Sequence, residues 1–260
     1  MTEQRKPVLW HLPHSHYSEK ARWALAWKGI EHERKVPPPG AHMAVGAWLT
    51  RGAHVTMPVL ALDGERIGDS TAIIGALEAR YPEPPLYPKD PFVRRRALDL
   101  EDFFDEGLGP AARLFAFHHA RGDRERLGDL ALKLMPAPVQ RLPGARAGAA
   151  QFAATFTHLR FRVASDEAEV AARQTILAAC DRLEAELGGS EHLAGDSFSV
   201  ADLTAAALLY PLVLPPEGPS IVTGLPDSAQ PFLDELRPRP AWAWAERTYA
   251  RFRKPAVPVG

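Results

Sequence analysis

The sequence predicts an α/β N-terminal half followed by an all-helical C-terminal half, and three observations predict it. Up to residue 81, short apolar runs alternate with amphipathic segments in the order strand, helix, strand, helix, strand, strand, helix. Tyr81-Pro82-Glu83-Pro84-Pro85-Leu86-Tyr87-Pro88-Lys89-Asp90-Pro91 then carries five prolines in eleven residues, which can continue neither helix nor sheet. Beyond it almost every long segment has helical periodicity. A chain of 260 residues is long enough for two ordinary domains. The expected divisions are 1–81, a proline-rich linker at 82–91, and 92–260.

Val8 to Leu12, between Pro7 and Pro13, reads as a short buried strand. His16 to Ile30 has no proline, and its first glycine is Gly29, a helix stop; Ala21, Trp23, Ala24, Leu25 and Trp27 cover much of that helix's perimeter. Glu31 to Val36 reads as an edge strand broken by Pro37-Pro38-Pro39-Gly40, and Ala41 to Leu49 as a helix whose Trp48 faces either the ligand side or the core. Pro58 opens an apolar strand through Leu62, Asp63-Gly64 supplies a hairpin turn, and a second short strand ends near Gly68. Ser70 is expected to cap a helix running to Arg80, with Ile73, Ile74 and Leu77 on one face. This is the order of a thioredoxin-like fold, with the first two strands parallel and the hairpin adding an antiparallel edge.

In the second half helices are expected at 92–120, 147–163, 166–187, 199–212, 229–236 and 240–253, with loops at Met135 to Gly144 and Leu212 to Pro231. Phe198-Ser199-Val200-Ala201-Asp202-Leu203 reads as a capping box with its hydrophobic staple, a structural device.

Composition excludes several functions. Lys plus Arg total 31 against 32 Asp plus Glu, so no bulk charge draws nucleic acid or anionic lipid, and Arg94-Arg95-Arg96 reads as a solvated helix face. No apolar stretch approaches the ~20 residues of a membrane span, and the polar Met1 to Lys6 leads into no signal-peptide core, so a soluble cytoplasmic protein is expected. The single Cys180 excludes disulfide frameworks and reads as a buried helix residue.

Thr56 to Ile74 carries the chemistry. A helix N-terminus at Ser70 suits a carboxylate, and Asp69 beside it suits an ammonium group; the two together describe an amino acid end. His11, His14 and His16 form a His-x-x-His-x-His cluster, but a strand-to-helix turn does not give metal geometry, and the adjacent His118 and His119 diverge on a helix; no metal is expected.

Taken together, Ser15-His16-Tyr17-Ser18-Glu19-Lys20-Ala21-Arg22-Trp23-Ala24-Leu25, Met57-Pro58-Val59-Leu60, Gly68-Asp69-Ser70-Thr71-Ala72-Ile73, the proline-rich linker and Leu193-Ala194-Gly195-Asp196 before the capping box resemble the glutathione transferase superfamily. They span both halves in the expected order without fixing the class. The resemblance implies that residues 1–81 bind glutathione and that 92–260 supply a pocket for a small hydrophobic electrophile. It puts Ser15 on the catalytic position of the serine and cysteine classes, Tyr17 on the aromatic one, and Lys20 and Arg22 on the basic ones. It implies that the Met57 backbone pairs with the cysteinyl backbone, that Pro58 fixes that geometry, and that Asp69 and Ser70 hold the γ-glutamyl end. His42 and His54 are candidates for the glycyl carboxylate, and Phe104, Leu108, Phe115 and His118 for pocket walls or core.

A hydroxyl beside the glutathione sulfur, at a helix N-terminus, favours thiolate over a thiol whose ordinary pKa is ~8.5. Ser15 is the preferred donor; Tyr17 is an alternative donor or a packing residue, Ser18 a helix cap, and His14 or His16 a second donor or base. The implied activity is a glutathione S-transferase, a cytoplasmic, detoxifying homodimer using glutathione as co-substrate. Isomerisation, dehalogenation or peroxide reduction could use the same thiolate. His16 stands where the superfamily usually has proline, which favours a further alternative, a non-catalytic binding module.

Overall fold

The structure is a computed structural model that describes residues 6–38, 40–135, 137–161, 165–222 and 224–253. Residues 1–5, Pro39, Pro136, 162–164 (of which 162 and 163 belong to the expected helix at 147–163), 223 and 254–260 lie outside that set.

The N-terminal half follows the expected order: β1 (Val8–Trp10), α1 (His16–Trp27), β2 (Glu33–Lys35), α2 (His42–Leu49), β3 (Val59–Leu62), β4 (Glu65–Gly68) and α3 (Ser70–Arg80). The sheet order is β2-β1-β3-β4. β1 and β2 are parallel, with Leu9 opposite Arg34, while β3 runs antiparallel to both β1 and β4. Asp63 and Gly64 both take positive φ, 49° and 86°, the pairing that a right-twisted two-residue hairpin requires. The Met57-Pro58 and Glu83-Pro84 bonds are cis. Trp48 goes to neither of its expected places: α2 turns it outward, leaving it 75 % exposed.

After the linker come α4 (Pro91–Phe103), a π turn at Phe104–Leu108, α5 (Gly109–Ala120), α6 (Arg124–Lys133), the four-residue α7 (Ala137–Gln140), α8 (Ala145–Phe161), α9 (Asp166–Leu187), α10 (Val200–Val213), a 3₁₀ turn (Asp227–Ala229), α11 (Gln230–Leu236) and α12 (Pro240–Phe252). The expected single helix over 92–120 is interrupted. Pro110 has no N–H, and the ladder widens just before it, with Gly109 N–H donating to Phe104 O five residues back. Two helices were not expected: α6, which Asp123 caps through the Arg126 N–H just ahead of the expected loop at Met135 to Gly144, and the four-residue α7 inside that loop.

α10 is buried on every side from Val200 to Tyr210 and is the central helix, packing against α1, α4, α5 and α12. Its start is held as expected. The fully buried Asp202 carboxylate accepts from Ser199 N–H at 2.9 Å, Ser199 Oγ at 2.8 Å and Leu193 N–H at 2.8 Å. The linker is tied to the same point, since Val200 N–H donates to Leu86 O at 2.8 Å. Across the two halves, Trp23 Nε1 donates to Phe252 O and Trp27 Nε1 to Pro85 O. Cys180 lies in α9, where burial pushes its thiol up to about 12. No helix among the described residues is long and apolar enough to cross a membrane.

Candidate functional site

A cleft of about 800 Å³ opens between the two halves, and Ser15, Met57, Pro58, Asp69 and Ser70 all line it. Its first wall is the start of α1. Ser15 is the N-cap of that helix: its Oγ accepts from Ser18 N–H at 3.3 Å, which leaves the hydroxyl proton to donate elsewhere. Ser18, expected to be the cap, is instead buried in the third helical position and accepts from Leu12 N–H at 3.1 Å. The loop before Ser15 is clamped from below by Arg22, whose guanidinium donates to Leu12 O at 3.3 Å and Pro13 O at 3.2 Å and to His11 Nδ1 at 2.8 Å. Glu19 holds Arg22 at 2.8 Å and Arg253 at 2.5 Å. Burial raises the Glu19 carboxyl, but the two guanidiniums outweigh it and hold it below the usual carboxylate range.

The alternative thiol donors are engaged or desolvated. Tyr17 donates its hydroxyl to Asp105 O at 2.8 Å, and burial pushes its phenol up. His16 Nε2 lies 2.9 Å from Gly109 O, which can only accept, so that nitrogen carries the proton. Burial, aided by the Arg113 charge, lowers its imidazole to about 3. His14 is lowered to about 4 by burial and then by Arg22, and its buried Nδ1 has no hydrogen-bond partner among the described residues. The three histidines of the expected cluster therefore have separate surroundings: His11 faces Arg22, His16 faces Gly109, and His14 faces Phe117.

The opposite wall differs in one respect from its expected form. Asp69, not Ser70, caps α3: its Oδ1 accepts from Thr71 N–H at 2.9 Å and Ala72 N–H at 3.1 Å. Asp69 sits at φ 76°, a conformation costly for a residue with a Cβ and typical of ligand sites. Ser70 becomes the first helical residue. It is 1 % exposed, it lines the cleft, and its Oγ has no hydrogen-bond partner among the described residues. A buried orphan hydroxyl beside a helix N-terminus is a fit for an anionic group such as a carboxylate.

Behind these walls Lys20, fully buried, joins both halves: its Nζ lies 2.7 Å from Thr71 Oγ1, 2.9 Å from Glu101 Oε1 and 2.6 Å from Asp105 Oδ1. Its three donors match three acceptors. Burial raises both carboxyls and Lys20 pulls them back. Gly109 is required at this junction, because a Cβ there would fall 2.7 Å from Tyr17 Cζ and closer still to its hydroxyl.

The expected pocket walls are core. Phe104, Leu108 and Phe115 are buried, and Phe115 packs on His119 and Phe232; His118 is also buried. The cleft side of α5 is shifted by one or two positions, to Arg113, Ala116, Phe117 and Ala120. Their i, i+3, i+4, i+7 spacing was the signal available for them. His42 lines the cleft with its ring edge-to-face against Phe156 at 5.3 Å, whereas His54 packs over Gly68 away from it. Residues of α6 and α8 complete the far wall, with Phe152 lying over Gly40.

Comparison with known proteins bears on this arrangement. Residues 9–85 match the family model for the N-terminal domain of glutathione S-transferase, and residues 145–247 match that for its C-terminal domain. Maleylacetoacetate isomerase of Rattus norvegicus is 35% identical over 113 residues, 42% of this chain and 52% of that protein. A probable maleylacetoacetate isomerase of Caenorhabditis elegans is 33% identical over 110 residues, 42% of this chain and 51% of that protein. The chain thus spans about half the length of the curated relatives it matches. A glutathione S-transferase from Methylobacillus flagellatus, solved with GSH bound, shares the fold at a TM-score of 0.62 and 20% identity, covering 94% of this chain and 95% of the other. With a thioredoxin-like sheet, a helical second half and both family models matched in order, the chain belongs to the glutathione transferase superfamily.

Proposed function

We propose that the chain is a glutathione S-transferase that binds glutathione in the cleft between its halves and presents the thiolate to a small hydrophobic electrophile. The observation that carries this reading is that Ser15, Met57, Pro58, Asp69 and Ser70, from three separate stretches of sequence, line one cleft in which the Ser70 hydroxyl is buried and unpaired. In this reading Ser70 and the α3 N-terminus receive the γ-glutamyl carboxylate, the Asp69 carboxylate faces its ammonium, and Met57 with Pro58 meets the cysteinyl backbone. The Ser15 hydroxyl donates to the sulfur, and the positive end of α1 adds to that stabilisation. Residues 1–81 form the glutathione domain, 82–91 the linker and 92–260 the electrophile domain. A cytoplasmic homodimer goes with this reading, the first domain of one subunit against the helical domain of the other; the exposed Phe92 on α4 supports such a face. Sedimentation at twice the chain mass is the expected result.

Retention on immobilised glutathione and turnover of 1-chloro-2,4-dinitrobenzene test the reading. Ser15→Ala is expected to raise the pKa of the bound thiol toward its free value and to cut turnover at pH 7 by about tenfold or more. Wild-type values for both would refute Ser15 as the donor. Retention without turnover of a broad electrophile panel would favour the non-catalytic module.

A second reading is favoured by the names of the curated relatives, maleylacetoacetate isomerases. The same thiolate would add reversibly to a cis double bond, allow rotation, and leave with glutathione regenerated. Cis-to-trans conversion without glutathione consumption distinguishes it.

A further inference from the structure

Arg22 makes a full set of bonds beneath the Ser15 loop. Its Nε donates to Glu19 Oε2 at 2.8 Å, its Nη1 to His11 Nδ1 at 2.8 Å and Leu12 O at 3.3 Å, and its Nη2 to Pro13 O at 3.2 Å and Ser15 O at 3.5 Å. A guanidinium has five N–H donors, so each has an acceptor here. Because it can only donate, His11 Nδ1 carries the lone pair, and burial followed by the Arg22 charge lowers that imidazole to about 3. Glu19 accepts at the same time from Arg253 Nε at 2.5 Å. All three side chains are buried, and two guanidiniums with one carboxylate leave one positive charge beneath the start of α1. Facing the triad from other elements are His11 after β1, held neutral, and Arg34 on β2, a further cation. Tyr210 on α10 and Tyr249 on α12 face it as phenols that burial and then Glu19 push up. The charge reaches the cleft: His14 lines it beside Ser15, and Arg22 is the larger cause, after burial, of its lowered imidazole.

We propose that Arg22 and Arg253 are positioning residues for thiol activation: Arg22 holds the loop that presents the Ser15 hydroxyl to the glutathione sulfur, and Arg253 acts through Glu19 to hold Arg22 in that place. Resting on the glutathione reading, this assignment ties the last described residue, 234 positions from Glu19, to the surroundings of the sulfur. A thiolate is favoured over a thiol by nearby positive charge and by a donor kept within hydrogen-bond reach. A loop free to tilt loses that reach, and removal of either guanidinium takes one positive charge from beneath it. Neither change touches the contacts assigned to the γ-glutamyl end on α3. Ionisation of the thiol and affinity for the rest of the tripeptide therefore separate. No proton moves to or from either arginine; the thiol proton goes to solvent.

Three quantities are read in wild type, Arg253→Gln, Arg253→Lys and Arg22→Lys: the pKa of bound glutathione from its thiolate ultraviolet absorbance, the pH profile of kcat/KM with 1-chloro-2,4-dinitrobenzene, and the Kd of S-methylglutathione, which has no ionisable thiol. Arg253→Gln is expected to raise the pKa of the bound thiol by about 1, to move the pH profile with it, and to lower kcat/KM on the acid side about tenfold. The Kd of S-methylglutathione is expected to stay within about twofold of wild type. Arg253→Lys keeps a cation on Glu19 and is expected to recover most of the pKa. Arg22→Lys keeps the charge but loses the planar fork, and is expected to raise the pKa as well. The pKa of a bound thiol belongs to the folded, liganded fraction, so partial unfolding does not imitate the result; Arg253→Met, which keeps a packed stem, is the second charge-loss variant where Arg253→Gln does not fold. A bound-thiol pKa unmoved in the charge-loss variant overturns the role of Arg253, and a wild-type pKa and profile in Arg22→Lys overturn positioning by Arg22. Parallel losses of thiol ionisation and of S-methylglutathione affinity also overturn the inference, since they assign the triad to the integrity of the whole site. Wild-type protein that neither is retained on glutathione nor binds S-methylglutathione would sink the glutathione reading and this inference with it, whereas tight S-methylglutathione binding with an unmoved thiol pKa sinks this inference alone.

Discussion

Replacing Gly109 by alanine tests whether the first turn of α1 is seated on the π turn as tightly as the distances say. Alanine suits a helical position better than glycine by about 0.5–1 kcal/mol, so propensity alone favours the change. Against it stands the new Cβ, 2.7 Å from Tyr17 Cζ. Tyr17 cannot swing aside freely, because its hydroxyl is bonded to Asp105 O and its ring packs against His16 at 4.6 Å. Overpacking costs about 1–3 kcal/mol, and loss of the Tyr17 hydrogen bond costs about 0.5–1.5 kcal/mol. The net expectation is destabilisation by about 1–3 kcal/mol, or a fall in Tm of roughly 2 to 12 °C at ~2–4 °C per kcal/mol for a chain of this size. Gly107 is the internal control: it lies in the same turn, and a Cβ there would meet only Thr175 Cγ2 at 3.9 Å, so Gly107→Ala is expected to be neutral or stabilising. Scanning calorimetry of both variants gives the comparison. Equal stabilities for the two would refute the seating argument, since only a tight approach at 109 separates them.

Ser70→Ala is expected to leave stability unchanged or raise it by up to about 1 kcal/mol, because it removes an unpaired buried hydroxyl, while weakening glutathione binding about tenfold; calorimetric titration reads the affinity, and unchanged binding would remove Ser70 from the site. Asp202→Ala strands three buried donors and is expected to cost about 2–4 kcal/mol in urea unfolding, with glutathione affinity of the folded fraction preserved. Glu19→Gln leaves two guanidiniums facing a neutral amide and is expected to cost about 3–5 kcal/mol at pH 7. Because the folded Glu19 carboxyl is held below its ordinary 4.5, its stabilisation is present above that value and is lost as pH falls through the folded pKa. The gap between wild type and Glu19→Gln should therefore close in acid, and a gap that widens below pH 4 would contradict the assignment.

The N-terminal half was legible because its signals are local: proline brackets around β1, Asp63-Gly64 in the hairpin, and Gly29 after α1. The capping box at Ser199 was legible for the same reason. What escaped depends on contacts between distant segments. The π turn follows from Pro110, but its use as a seat for Tyr17 and His16 is a packing fact between residues about ninety positions apart. At α3, the sequence shows both Asp69 and Ser70 as possible caps. Only the backbone at φ 76° decides that Asp69 takes the role and leaves Ser70 buried. On α5 the helix is evident from its period, but Phe115 and Phe117 are alike in sequence, and only the packing of the whole fold sends Phe115 to the core and Phe117 to the cleft. α6 was not expected, although Asp123 followed by Leu127, Leu130 and Leu134 carries a cap and an apolar stripe.

The bond from Arg253 to Glu19 spans 234 positions, and it has a consequence for biosynthesis. The helix that begins at the Ser15 loop leaves the ribosome well ahead of its partners: the Arg253 guanidinium that completes its buried charge pair follows Glu19 by 234 positions, and the Phe252 carbonyl that receives Trp23 follows it by 229. At about 5–20 residues per second the nascent chain carries a Glu19 with only one of its two guanidiniums, Arg22, and an uncovered Trp23 for roughly 10 to 50 s. The first half alone therefore cannot complete this surface as it is made, and the Trp23 face stays open until the end of α12 has emerged.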